Sequence, residues 1–194
     1  MATQAERRAA TRGRLVTAAR ELFATDGYDA TATTDILTRA GVSRGAMYHH
    51  FETKADVFEA VFTEVSDEAI TRATGAGPRN DSPLEELIVA SLAWLRVVRA
   101  PDVATILLDQ GPQVLGWERA RDLEARTSLA LMTSSLERAA AAGEIQVGSV
   151  DLTARLLNAV LAEAALAALH GDTDLTASDQ EAEIRRLFER WLAV

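Results

Sequence analysis

Residues 33–58 read TTDILTRAGVSRGAMYHHFETKADVF, and the order of apolar positions, caps and one glycine in this run decides the fold class. Ile36, Leu37 and Ala40 recur at helical spacing and give a short helix one inward side. Gly41 ends that helix, because a sharp turn needs a residue free to take a positive φ. Val42 fills the corner, and Ser43 offers its hydroxyl as the N-cap of a second helix of about two turns. Met47 and Phe51, four residues apart, face inward with Val42 and leave Arg44, Gly45, Tyr48 and His49 on the other side. Two short helices about a glycine turn, the second showing an arginine, a tyrosine and a histidine outward, have the pattern of a DNA-reading helix-turn-helix.

Two residues in the run fit poorly with a purely structural role. Gly45 inside a helix costs about 1 kcal/mol against alanine. A partner that must approach the backbone closely would justify it. Lys54 stands in the first turn of the next helix, which Thr53 caps with Asp56 as its capping-box partner. A cation there opposes the helix dipole. Over a bound phosphate the same lysine would help the helix N-terminus hold an anion; an ordinary surface lysine is the alternative.

Working outward, residues 1–12 (MATQAERRAATR) are polar and read as a flexible arm. Arg7, Arg8, Arg12 and Arg14, on or just before the first helix, are either solvated or in non-specific contact with phosphate. Leu15, Ala18, Ala19, Leu22 and Phe23 form the buried face of that helix, and Gly27 with Tyr28 reads as its C-terminal cap. Thr31, Thr33 and Thr34 supply cap oxygens for the helix that follows, with Asp35 favourable in its first turn. After the run, a long helix buries Val57, Phe58, Val61, Phe62 and Val65, and TGAGPRNDSP at 74–83 marks the clearest boundary. Helices are expected over 84–99, about 102–110, from beyond Pro112 to about 142, about 151–170 and 178–193, with a loop at 143–150. The fold class is all-α, about nine helices: a three-helix head over 1–56 and a helical body over 57–194.

Composition narrows the function. The chain has no cysteine, which excludes disulfide staples and thiolate chemistry and fits a reducing cytoplasm. Its net charge is −9, unevenly spread. Residues 1–56 hold eight Arg and Lys against seven Asp and Glu, a balance of +1, and the remainder twelve against twenty-two, a balance of −10. The acidity belongs to the body. The Arg-rich start lacks an apolar leader, and the most apolar helix, 152–169, is interrupted by Arg155, Asn158 and Glu163, so it reads as a buried helix with no membrane partner. The three histidines are His49, His50 and His170. The adjacent pair lies about 100° apart on a helix and cannot make an i, i+4 metal site. There is no GxSxG and no Gly-rich phosphate loop, so neither an enzyme nor a metal or cofactor is expected. A helical interaction protein without DNA binding is the competing reading.

The segment ELFATDGYDAT at 21–31 followed by AGVSRGAMYHHFETK at 40–54 resembles the N-terminal domain of the TetR family of bacterial transcriptional regulators. The likeness covers about the first sixty residues, and GPQVLGWERAR at 111–121 is a softer echo of one subset. The resemblance implies a repressor released from a palindromic operator by a small apolar effector. Thr33, with Thr34 beside it, matches a phosphate-contacting position, and Ser43, Tyr48, His50 and Lys54 match others. Arg44 and Gly45 match residues at base edges, where an arginine pairs with guanine for about 1–3 kcal/mol of discrimination. His49 matches a base or sugar contact, and Ala46 stands where a Thr or Ser is common, so one polar base contact is missing.

The resemblance further implies a homodimer joined through the last two helices. The stripe of Ile184, Leu187, Phe188 and Trp191 and the small residues Ala159, Ala162 and Ala165 suit close helix packing, though an internal stripe would look the same. A dimer spaces two reading helices about 34 Å apart on double-stranded DNA. An effector cavity in the body would be lined by Trp94, Leu108, Trp117, Leu129, Leu131 and Met132, with Asp109, Gln110, Asn158 and Glu163 as polar candidates. Each of these serves equally well as an ordinary structural residue.

Overall fold

A computed structural model describes residues 3–75 and 81–192 of the chain. All regular structure among the described residues is helical: α1 (Gln4–Thr25), α2 (Thr33–Ala40), α3 (Arg44–Tyr48), α4 (Lys54–Thr74), α5 (Pro83–Val98), α6 (Pro101–Ala104), a π-helical turn (Thr105–Gln110), α7 (Gly111–Leu115), α8 (Trp117–Arg126), α9 (Ser128–Ala141), α10 (Val150–His170) and α11 (Ala177–Leu192). The centre of the expected boundary at 74–83 lies outside the described residues. Two compact units emerge, one formed by Met1–Val65 with Thr105–Ala120, the other by Ser66–Ala104 with Arg121–Val194.

In the first unit the apolar faces of α1, α2, α3 and α4 converge. Leu15, Val16, Phe23, Ile36, Val57, Phe58 and Val61 are wholly buried, and Met47 nearly so. Phe58 meets Phe23 and Tyr28 with ring centroids 5.4 Å apart in each case, the tilted and edge-on geometries that aromatic quadrupoles favour. The expected flexible arm is instead the start of α1. Thr3 Oγ1 accepts from the Glu6 N–H at 3.2 Å, and the Glu6 carboxylate accepts from the Thr3 N–H at 2.6 Å, a capping box ahead of strong helix formers.

This unit is larger than the head read from sequence, since it runs on to Val65 and recruits Thr105–Ala120. Gln110 explains the recruitment: its Nε2 donates to the Phe23 carbonyl at 2.9 Å and its Oε1 accepts from the Tyr28 N–H at 3.1 Å. Arg119 adds a two-pronged pair with the Glu59 carboxylate, its Nε donating at 2.9 Å. Gly111 is buried against Phe62, and a Cβ there would lie 2.6 Å from the ring.

The second unit packs α5, α9, α10 and α11 around Ile88, Leu95, Leu136, Leu157, Phe188 and Leu192. Ion pairs tie its helices: Arg185 to Glu85 at 2.9 Å, and Arg96 and Arg99 to Glu181 at 2.6 Å each. Burial pushes the Glu181 carboxyl up, but the hydrogen bonds from Arg96 and Arg99 overcome it and hold the pKa below the ordinary 4.5. The long helix expected up to about residue 142 is three helices. Gly116, at φ +77°, ends α7, and Thr127, at φ −122° and ψ −101°, separates α8 from α9. Only a glycine takes the first of these conformations without strain.

Candidate functional site

The α2–turn–α3 geometry follows the local chemistry. Gly41 takes φ +61° and closes α2, while Val42 donates to the Leu37 carbonyl at 3.1 Å and is buried in the corner. Ser43 Oγ accepts from the Ala46 N–H at 3.2 Å and caps α3. Helix α3 is a single turn, and the N–H groups of His50 and Phe51 both donate to the Met47 carbonyl, at 2.8 and 2.9 Å. The threonines expected to cap α2 do not. Asp35 accepts from the Ala32 N–H at 3.1 Å, while the buried Thr31 donates its hydroxyl to the Gly27 carbonyl at 2.7 Å. Thr33, half-buried, and Thr34, exposed, are the first two residues of α2.

Ser43, Arg44, Gly45, Tyr48 and His49 all face solvent, with Ala46 and His50 partly so, which brings the expected reading face together. The Arg44 guanidinium lies 5.7 Å from the Tyr48 ring centroid and 3.4 Å from its hydroxyl. Gly45 has an ordinary helical φ, and a Cβ added to it would meet nothing within 4 Å. The fold therefore has no need of glycine at this position.

A positive cluster that sequence reading assigned to the arm sits beside α3. Arg8 reaches the His49 carbonyl at 3.4 Å, and the Arg12 guanidinium lies 5.2 Å from the centroid of the Phe51 ring. Burial, then Arg8, Arg12 and His49, hold the His50 imidazole below its ordinary pKa of 6.5. Helical spacing of Arg8 and Arg12 on α1, one turn apart, was the signal available in the sequence.

Lys54 corrects the simplest sequence reading. Its ammonium is turned inward, donating to the carbonyls of Tyr28 at 2.7 Å and Thr31 at 3.0 Å, and lies 4.0 Å from the Tyr28 ring centroid. Two of its three donors are thus committed to backbone oxygens instead of pointing outward at a phosphate. The expected capping box is present: Asp56 accepts from the Thr53 N–H at 2.8 Å, and Thr53 Oγ1 accepts from the Asp56 N–H at 3.1 Å.

In the second unit a cavity of about 280 Å³ opens among α4, α5, α9 and α10. Of the expected lining, Trp94, Leu131, Met132 and Asn158 are there, joined by Ile70, Leu87 and Leu161. Leu129 is buried but does not line it, and Glu163 faces solvent. Leu108, Asp109, Gln110 and Trp117 belong to the other unit, because the chain re-enters it at Thr105. Asp109 there accepts from Gln113 at 3.1 Å, and Trp117 is 66% exposed and so fills no core.

The expected pairing stripe also divides. Ile184, Phe188 and Ala165 are buried in the chain's own core, so they cannot face a partner. Ala159 and Trp191 are exposed, and Ala162 and Leu187 are half-buried. Leu152 and Leu156, which sequence reading passed over, are 55% and 47% exposed and continue to Ala159 along one face of α10.

Comparison with known proteins supplies the family. The family model described as bacterial regulatory proteins, tetR family, matches residues 15–61, and the one described as tetracyclin repressor-like, C-terminal domain, matches residues 84–191. The HTH-type transcriptional repressor BepR of Brucella suis biovar 1 (strain 1330) is 29% identical over 178 residues, covering 84% of this chain and 83% of that protein. A TetR-family transcriptional regulator from Pectobacterium atrosepticum is 26% identical and superposes with a TM-score of 0.77 over 100% of this chain and 98% of its own. RolR, solved in complex with resorcinol, shares the fold at 20% identity and a TM-score of 0.76, over 98% of this chain and 91% of its own. Relatives of this kind are transcriptional regulators and not enzymes. With one family model reaching over more than half of its length and the other over the helix-turn-helix, the chain belongs to the TetR family of bacterial transcriptional regulators.

Proposed function

We propose that the protein is a cytoplasmic, homodimeric repressor that binds a palindromic operator through α3 and releases it when a small effector enters the cavity of the second unit. The observation that supports this reading most is Gly45. It lowers helix propensity where the fold has room for a side chain, and it stands between the exposed Arg44 and Tyr48. Close approach of a DNA groove gives that glycine a purpose. In this reading Arg44 pairs with a guanine edge, and Ser43, Tyr48, His49 and His50 hold backbone and groove with Thr33 and Thr34 at the start of α2. Ala46 offers no polar group to a base. Arg8 and Arg12 add phosphate contacts from α1. Lys54 acts mainly by fixing the loop that leads into α2.

The apolar outer face of α10 supports the dimer. An 18-residue window of this helix has a mean hydropathy of 1.5, and only 22% of it is buried within the chain, so length and composition alone would let it cross a membrane. Arg155, Asn158 and Glu163 interrupt it, and a second copy covering Leu152, Leu156, Ala159 and Trp191 accounts for the exposed apolar surface better. Helix α4 begins at Lys54 and ends with Ile70, Ala73 and Thr74 in the cavity wall. Effector binding would favour a conformation in which α4 draws the two reading helices out of groove register. Its effect on DNA is limited to its differential affinity for the two states, typically about 1–3 kcal/mol.

Selection of bound duplexes from a random pool tests the proposal. Enrichment of a site with two-fold symmetry is expected, with half-sites about one helical turn apart. Failure to enrich any sequence, or an asymmetric site bound by a single chain, would contradict it.

A further inference from the structure

The cavity of the second unit has a definite chemical character. Trp94 from α5, Leu131 and Met132 from α9, and Leu161 from α10 make its walls apolar. Its ionisable lining residues are Glu86 and Arg138, and these pair with each other at 2.9 Å. An ionic ligand would therefore give up hydration without finding an uncompensated opposite charge. Asn158 brings the one carboxamide to a lining that also carries the hydroxyls of Thr74, Ser91, Ser128 and Ser135. Its carboxamide has no protein hydrogen-bond partner among the described residues, and it presents two donors and an acceptor. A half-buried carboxamide in that position is open to water or to a ligand. Size sets the last limit: a cavity of about 150 Å³ holds benzene, and about 280 Å³ is close to twice that.

We infer that this cavity takes an uncharged compound the size of two fused six-membered rings, bearing a hydroxyl or carbonyl that hydrogen-bonds to the Asn158 carboxamide. The inference rests on the reading of the cavity as the effector site. The ring system lies against Trp94 and Met132, and Asn158 sets which way round the molecule sits. Selectivity then follows from geometry. Pairing with Glu86 offsets the charge of Arg138 that an anion would seek, and an unsubstituted hydrocarbon offers the carboxamide no hydrogen bond.

The test uses the full chain and three probes of nearly one shape: 2-naphthol, naphthalene and 2-naphthoate at neutral pH. Calorimetry gives the affinities, and quenching of tryptophan fluorescence, lost in a Trp94→Phe variant, reports the place. One molecule of 2-naphthol is expected per chain, with naphthalene and 2-naphthoate each about tenfold weaker or more, the loss of one good hydrogen bond. Asn158→Leu should bring 2-naphthol down to the level of naphthalene while leaving naphthalene unchanged. Asn158→Ser, which keeps a hydroxyl, should lie between, and helical content by circular dichroism confirms that each variant folds. Binding of 2-naphthoate as tight as that of 2-naphthol would overturn the inference, as would an unchanged preference for 2-naphthol in Asn158→Leu, or no binding of 2-naphthol. Operator affinity measured in the same samples separates the two readings. Naphthol bound at Trp94 with operator affinity unchanged supports the ligand class and counts against release by cavity ligands. Absent naphthol binding beside intact operator binding overturns the ligand class and leaves the DNA-binding regulator standing.

Discussion

The ammonium of Lys54 sits 4.0 Å from the centroid of the Tyr28 ring and 2.7 Å from the carbonyl oxygen of the same residue. One side chain at the start of α4 thus holds the loop that feeds the reading motif, through a cation–π contact and a charge-assisted hydrogen bond, with a second bond to Thr31. Desolvation of the half-buried Tyr28, aided by Asp29 and Asp56, raises the phenol pKa above 10.0, so this partner stays neutral at physiological pH.

Lys54→Met should therefore lower stability as well as DNA binding. It removes the charged donor and leaves two carbonyls short of a partner, at a cost of about 1–3 kcal/mol. Chemical unfolding of the variant checks this. A stable variant that merely binds operator less tightly would return Lys54 to a simple phosphate contact.

Gly45→Ala should do the opposite to stability. The added methyl group meets nothing within 4 Å, and alanine is the better helix former by about 1 kcal/mol or somewhat less near a helix end. Unfolding should shift to higher denaturant while operator affinity falls. A variant that binds operator as well as the parent would remove the reason for glycine at this position.

Protonation of His50 should be linked to DNA binding. In the free protein burial and the neighbouring Arg8, Arg12 and His49 hold its pKa below 6.5. A phosphate beside the ring would favour the cation and raise that pKa, so binding takes up a proton. Operator affinity should then rise as pH falls through the interval between the free and bound values and level off above it. Titration of the imidazole by NMR, with and without operator, measures both values. His50→Gln should remove most of the dependence.

Leu156→Glu should dissociate the proposed dimer. It places a charge in the middle of the exposed Leu152–Leu156–Ala159 face without touching the buried core of the unit. Sedimentation should show a folded monomer with operator affinity reduced by tenfold or more, because two half-sites no longer bind as one. A dimer unaffected by the substitution would move the interface elsewhere.

Legibility followed range. Gly41, Ser43, Met47, Phe51 and the Thr53–Asp56 cap were readable because each depends on neighbours within about one helical turn. Lys54 was recognisable as anomalous, yet its acceptors lie 26 and 23 residues upstream, and no local pattern announces them. Gln110 reaches Tyr28 and Phe23 across 82 and 87 residues, so the enlargement of the first unit was out of reach. The stripe of Ile184, Leu187, Phe188 and Trp191 told which face of α11 was apolar but not whether its own chain or a second copy would cover it. Gly116 was in plain view, whereas the break at Thr127 has no residue-type signal.

The central claim is that the outward face of α3 reads bases, and Arg44→Ala examines it most directly. Each base pair of the selected site is varied in turn, and the affinities of parent and variant are compared at two salt concentrations. The account predicts that the variant loses about 1–3 kcal/mol of discrimination at one guanine in each half-site and keeps its preferences elsewhere, with binding of both proteins weakening as salt rises. An unchanged preference at every position, or binding indifferent to salt, would contradict it.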